Sequence, residues 1–230
     1  MEQVFNNKNE KIEYLTRNGY EVKIGELLRE AFDIFKKNPG GYIGFFILTM
    51  LISGALGFIP LVGTLVNWVI SPALSFGYVI VSRKIKYNEP YTFSNFFDGF
   101  HKFGPLFVGT LLAALMIILG FICLVIPGIY LAVCYSFASY FIWYNMDNGY
   151  WDALEKCRKF ITKRWWQVFV LFLAILGVNI LGVICLVVGL LVSIPVSIIS
   201  IYVFYENTIG TQEEEKFDFE KEQEPGTTPI

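Results

Sequence analysis

Groups able to do chemistry are sparse in this chain. Its 230 residues hold one histidine, His101, and four cysteines, Cys123, Cys134, Cys157 and Cys185. A histidine acting as general base needs a partner that orients it. His101, next to Lys102 at the end of an amphipathic segment, reads instead as a side chain at a membrane interface. No Cys-x-x-Cys occurs, which leaves zinc and thioredoxin-like redox chemistry without ligands. Cys123 and Cys185 fall at matching places near two helix turns. A disulfide between them is open if that side is oxidising, and packing as small apolar side chains is the default. There is no glycine-rich phosphate loop and no Gly-x-Ser-x-Gly nucleophile turn. The expectation is therefore a protein without catalytic residues, cofactor or metal. What remains is a set of uncharged polar residues inside long apolar runs. Asn67 and Ser71 lie one helical turn apart, with Pro72 freeing a backbone carbonyl nearby, and Asn179 lies in a later run. Such groups ordinarily tie membrane helices together. The functional alternative is a polar cavity lined by Asn67, Ser71 and Asn179, because broken helices with exposed backbone groups form substrate sites in transporters.

The elements that must position these residues follow from the charges. Residues 38–82, 103–146 and 165–205 are uncharged runs of 45, 44 and 41 residues. A bilayer core takes about 20 helical residues to cross, so each run is twice one span. With 55% apolar residues and only 17% charged, against about 25% charged in a soluble domain, too little polar surface exists for a water-soluble globule. A net charge of −2 also lacks the basic field of a nucleic-acid reader. Each run is interrupted near its middle, by Gly57, Pro60 and Gly63, by Pro127-Gly128, and by Gly182 and Gly189. The fold class is all-α: six transmembrane helices in three hairpins, over about 42–58, 64–82, 105–125, 129–146, 166–186 and 190–205. Pro72 and Pro195 fall inside the second and sixth spans, where neighbouring helices accommodate a kink.

Three shorter segments precede the hairpins. Ile24, Leu27, Leu28, Ala31, Phe32 and Phe35 keep helical spacing, as do Phe93, Phe96, Phe97 and Phe100, and again Tyr150, Ala153, Leu154, Cys157, Phe160 and Ile161. Each stripe opposes charged residues, which predicts amphipathic helices lying in the membrane interface. The hairpin turns carry no charge, and the basic residues all lie on the other side. By the excess of Lys and Arg, that side and both termini are cytoplasmic. Lys36, Lys37, Lys102, Lys156, Lys159 and Arg164 are the candidate contacts to anionic lipid.

The segments repeat. Phe32-Asp33-x-Phe35-x-Lys37 matches Phe97-Asp98-x-Phe100-x-Lys102, and Leu154-Glu155-x-Cys157-x-Lys159 is a looser copy. Residues 118–125 and 180–187 are identical at seven of eight positions, 62 residues apart. The inference is a threefold parallel repeat of interfacial helix, span, turn and span. The chain then divides into a polar cytoplasmic segment, 1–23, a membrane domain, 24–206, and an acidic, disordered cytoplasmic tail, 207–230. Phe217 and Phe219 make residues 206–230 a possible docking segment for another membrane or cytoplasmic protein, beside the plainer reading of a solubilising tail.

Ile126-Pro127-Gly128-Ile129-Tyr130, Tyr135-Ser136-Phe137-Ala138-Ser139-Tyr140, Ala153-Leu154 and Arg164-Trp165-Trp166-Gln167-Val168-Phe169 together resemble a broad group of uncharacterised bacterial six-span membrane proteins. The pattern is also similar to the membrane domain that accompanies some glycerophosphodiester phosphodiesterases. Leu28-x-x-Ala31-Phe32-x-Ile34-Phe35-Lys36-Lys37-Asn38 looks like that group's opening helix, and Phe96-Phe97-Asp98-Gly99-Phe100 like its second interfacial helix. The resemblance covers about residues 24–206 and implies a protein of the bacterial cytoplasmic membrane. In the phosphodiesterases a separate soluble barrel carries catalysis, so no catalytic residue maps onto this chain.

Three functions compete on these grounds. The first is a non-enzymatic membrane module that binds lipids or a partner protein, with no nucleic acid involved. The alternative is a transporter or channel for a small or apolar solute. A lipid-modifying enzyme has the least support.

Overall fold

The structure, a computed structural model, describes residues 8–59, 61–146, 148–185 and 188–211. Ten α-helices and one 3-10 helix make up these residues, and no strand occurs among them. Six stretches are long and apolar enough to cross a membrane. They comprise α3 (Pro39–Gly57), α4 (Val62–Lys86), α5 (Phe103–Cys123), α6 (Val125–Tyr135) with α7 (Ala138–Tyr144), α9 (Trp165–Ile184) and α10 (Leu190–Thr208). Before each pair stands a shorter helix: α2 (Ile24–Lys37), the 3-10 helix (Phe93–Lys102) and α8 (Tyr150–Thr162). Most of the acidic tail lies outside the described residues, Phe217 and Phe219 included.

Local sequence explains the boundaries. Asn38 accepts a hydrogen bond from the Gly41 amide (3.0 Å) and Pro39 opens α3, an N-cap followed by proline at the first helical position. Leu124 alone, in extended backbone, joins α5 to α6. Pro127 therefore lies in the first turn of α6, where its missing N–H costs nothing, and the span starts before the predicted residue 129. The turn glycines allow close approach: a Cβ on Gly63 would lie 1.8 Å from the Leu56 carbonyl oxygen.

The fourth span departs from expectation by breaking at Ser136–Phe137. The break is stabilised locally. The Ser136 hydroxyl donates to the Val133 carbonyl (2.7 Å), and the Cys157 thiol of α8 donates to the Cys134 carbonyl (3.1 Å). A backbone acceptor left open at a helix break is thus satisfied in the interior.

An N-terminal helix, α1 (Lys8–Asn18), was not anticipated within the polar 1–23 segment. It buries Ile12 and packs on α8. It ends at Gly19, which takes φ +87° and donates its amide to the Leu15 carbonyl (2.8 Å), the common glycine stop of a helix.

Burial separates the spans into two sets. Of the six stretches in chain order, the second, fourth and sixth are 44, 50 and 56% buried in their most apolar windows, against 11, 22 and 22% for the first, third and fifth. The second spans converge on an aromatic core. Phe76 of α4 stacks on Trp143 (ring centroids 4.4 Å) and Tyr140 lies 5.1 Å from Tyr205 of α10. The short helices pack in sequence: α2 on α10, the 3-10 helix on α4, and α8 on α6 and α7.

Their apolar stripes consequently face the bundle rather than lipid alone. Leu27, Ala31, Ile34 and Phe35 of α2 are buried, as are Ala153, Leu154, Cys157, Phe160 and Ile161 of α8. The second short helix is 3-10 over ten residues, unusually long for that geometry, in which residues three apart eclipse one another. Phe96 and Gly99 share one buried row, while Phe97 and Phe100 share an exposed one. Close backbone contact holds it to α4. A Cβ on Gly77 would lie 1.8 Å from the Phe96 carbonyl oxygen, and one on Gly99 2.1 Å from that of Ala73.

Candidate functional site

The polar residues of α3 and α4 meet in a seam between the two helices. On α4, Asn67, Ser71, Ser75 and Tyr78 follow i, i+4, i+8, i+11 and so share one helix face. Thr49 and Ser53 come from α3, and all six line a cavity of about 180 Å³. Phe46, Leu74, Ile194 and Ile198 form its apolar wall, the last two contributed by α10. No charged side chain lines it. Its flanks are fixed by hydrogen bonds between the two helices: Ser53 donates to Asn67 Oδ1 (2.9 Å) on the turn side, and the Tyr42 and Ser82 hydroxyls pair at 2.8 Å on the other. Between them the polar groups are under-used. The Tyr78 hydroxyl is buried and lies within hydrogen-bond distance of no group among the described residues. The Thr49 hydroxyl beside it donates to the Phe46 carbonyl (2.8 Å).

Of the three residues expected to line one cavity, the structure brings Asn67 and Ser71 together and sets Asn179 apart. Asn179 sits on α9 and clamps α10: its amide nitrogen donates to the Ser197 hydroxyl (2.8 Å) and the Ile175 carbonyl (2.9 Å), while its Oδ1 accepts from Ser193 (2.9 Å). Every group of the amide is occupied, which is the helix-joining role. Thr49 and Tyr78 were not singled out from the sequence. Their signal was the stripe Tyr42, Phe46, Thr49, Ser53 on α3 facing the α4 stripe, visible only once the hairpin register is known.

The candidate lipid contacts form a rim at the ends of the short helices. Lys36 pairs with Asp33 (3.2 Å) and its ammonium lies 4.5 Å from the Phe32 ring centroid. Lys37 makes no ion pair among the described residues and is exposed. Lys102 donates to the Trp143 carbonyl (3.3 Å) and lies 5.2 Å over its ring. Lys159 pairs with Glu155 at 2.8 Å, and that ammonium, by its hydrogen bond first and its charge second, holds the Glu155 carboxyl below the usual range. Arg164 lies against Gly19, where a Cβ would come within 3.1 Å of its guanidinium. Lys156 is the exception. It is turned into the protein, bonded to Asp152 (2.7 Å) and to Asn9 of α1 (3.0 Å), because α1 covers that face of α8. Exposed aromatics accompany the rim: Phe32, Phe97, Phe100 and Trp166. His101 is exposed, with Nδ1 2.9 Å from the Asp98 carbonyl oxygen. Cys123 and Cys185 are exposed free thiols.

A buried charged network at the rim was also missed. Glu206, near the end of α10, is 6% exposed and accepts from the Tyr87 hydroxyl and from the Thr211 hydroxyl (2.6 Å). Burial, then the Glu206 carboxylate, push the Tyr87 phenol up, so that it stays a donor. Lys86 bridges Glu30 of α2 (2.8 Å) and Asn207 (2.6 Å). Arg83 is buried and pairs with Glu89 (3.2 Å). These bonds fasten α2, α4 and α10 together. Nothing in the linear sequence pairs Lys86 with Glu30 or Tyr87 with Glu206.

Residues 114–212, fewer than half of the chain, match a family described as a protein of unknown function, DUF975. No curated protein and no solved structure matches the chain. Among the described residues no group of three or more His, Cys, Asp or Glu could hold a metal ion.

Proposed function

We propose that the protein is a non-enzymatic module of the bacterial cytoplasmic membrane, crossing it six times with both termini inside, and that its rim binds anionic phospholipid headgroups. The observation that carries this reading is the recurrence of a cation beside an aromatic side chain where a short helix meets the next span. Lys36 lies on Phe32, Lys102 on the partly buried Trp143, and Arg164 stands two residues before the exposed Trp166. Aromatic side chains favour the headgroup level, and each Lys or Arg near an anionic leaflet is worth about 1 kcal/mol. The cyclic packing of the three short helices supports the threefold repeat, which places the three junctions around the rim. In this reading the resemblance to the membrane domain accompanying glycerophosphodiester phosphodiesterases is one of architecture. Residues 206–230 are proposed as the segment that engages a partner protein.

The test is native mass spectrometry of the full chain released in mild detergent with equal phosphatidylglycerol and phosphatidylcholine. The wild type is expected to retain phosphatidylglycerol preferentially. Each of Lys37→Gln, Lys102→Gln and Arg164→Gln is expected to lower that preference by about fivefold, equivalent to about 1 kcal/mol. Equal retention of both lipids, or no change in the triple variant, would overturn the reading. A second reading, a transporter or channel for a small or apolar solute, draws on the α3–α4 cavity. Saturable solute uptake into vesicles would favour it.

A further inference from the structure

The geometry points to a binding site for an uncharged glycerolipid of the diacylglycerol type in the seam between α3 and α4, with its free hydroxyl and ester groups held by Ser71, Ser75 and Tyr78. The argument begins with depth. Asn67 to Tyr78 occupy the middle of a 25-residue helix, a stretch of about 16 Å at 1.5 Å per residue, and hence lie within the hydrocarbon layer. A polar group without a partner is costly there, because no bulk water reaches it. Yet neither the Ser71 nor the Ser75 hydroxyl finds a partner among the described residues and both residues are exposed, while Tyr78 is 3% exposed and its buried hydroxyl, beside that of Thr49, is within hydrogen-bond distance of no group among the described residues. Ser82, Ser197 and Ser200, by contrast, donate to the carbonyl four residues back. Ser71, Ser75 and Tyr78 thus leave three hydroxyls open along one cavity, whereas the buried Tyr202 hydroxyl and Gln167 Oε1, also without a partner among the described residues, lie outside it.

The chemistry of the lining selects the ligand. It offers hydroxyls and an amide without charge, which suits a neutral hydroxyl- and ester-bearing group and gives a phosphate no counter-ion. The cavity, about 180 Å³, greatly exceeds the ~15 Å³ that one water requires. It falls short of the ~300 Å³ of pockets that enclose a whole drug-sized ligand. A glycerol-sized headgroup fits inside, its acyl chains running along Ile194 and Ile198 into the bilayer. This site is separate from the charged rim.

The experiment uses the full chain in phosphatidylcholine vesicles with a photoactivatable diacylglycerol, mapped by peptide mass spectrometry. Adducts are expected to concentrate within residues 46–78 and to be competed by unlabelled dioctanoylglycerol. Ser71→Ala, a substitution at an exposed position, and Tyr78→Phe are each expected to lower them at least threefold. Asn179→Ala and Lys102→Gln are expected to leave them unchanged, which separates this site from the rim. Thermal unfolding of each variant in detergent identifies one that has failed to fold, and Ser75→Ala then takes its place with the same expectation. Adducts spread over α3, α5 and α9 alike would overturn the proposal. So would equal labelling by a photoactivatable triacylglycerol, which lacks the hydroxyl, or by phosphatidylglycerol, which carries a charge.

Discussion

Cys157 shows how a single side chain reports on the packing around it. Its thiol is buried and donates to the Cys134 carbonyl at the break in the fourth span. Burial, with the neighbouring Cys134 second, pushes this thiol well above its ordinary range. The folded state therefore favours the neutral thiol. Its contribution is present below the unfolded value of about 8.5 and is lost as pH rises from there through the raised folded one. Tyr20, pushed up chiefly by burial and stacked on Phe160, acts in the same direction at higher pH. With Cys123 and Cys185 replaced by serine, the folded protein is expected to resist maleimide at pH 7 and pH 8.5, and to react at two thiols once denatured. Rapid reaction of the folded variant would contradict the buried placement. Asn179 gives a second test at this scale. Because all its polar groups are occupied between α9 and α10, Asn179→Ala should lower stability in detergent by about 0.6–2 kcal/mol without altering lipid binding.

Among the elements, the contact between α4 and the 3-10 helix is the most demanding. Backbone lies against backbone there, so an added methyl meets a carbonyl that cannot swing away. Gly77→Ala is expected to cost about 3 kcal/mol or more. Gly54→Ala, where nothing lies within 4 Å, should be neutral or gain up to about 1 kcal/mol. Unfolding midpoints in one detergent decide the comparison, and equal effects would contradict the assigned packing. The same elements show what could be read from sequence. Span positions followed from the uncharged runs and the turn glycines, since the cost of charge in hydrocarbon and the crossing length are properties of single segments. The break at Ser136–Phe137 was not legible, because the group that stabilises it, Cys157, comes from another helix. Helical spacing in Phe93–Phe100 suited an α-helix, and the tighter 3-10 winding emerged only from the approach of Gly99 to α4. Of the proposed cavity, Asn67 and Ser71 were found through their one-turn spacing. Asn179 lies apart from them, because its hydrogen-bond partners on α10 decide its role.

At the scale of the whole molecule, the two sides of the bundle differ. The charged network of Arg83, Lys86, Glu89 and Glu206 and the buried aromatics gather where the short helices pack. The turns at the other end expose Phe58, Leu61, Ile122 and Ile126. Removing the Glu206 carboxylate should loosen the packed side. Glu206→Ala leaves the Tyr87 and Thr211 donors without an acceptor and is expected to cost about 2 kcal/mol, read as a lower unfolding midpoint. The proposed function depends on which leaflet this charged side faces. The direct measurement is sidedness in bacterial spheroplasts, with Cys123 and Cys185 replaced by serine and a membrane-impermeant maleimide added outside. Lys102→Cys should react only after the membrane is permeabilised, and Ile126→Cys in intact spheroplasts. Reaction of Lys102→Cys in intact spheroplasts, with Ile126→Cys protected until permeabilisation, would place the rim outside and contradict the account.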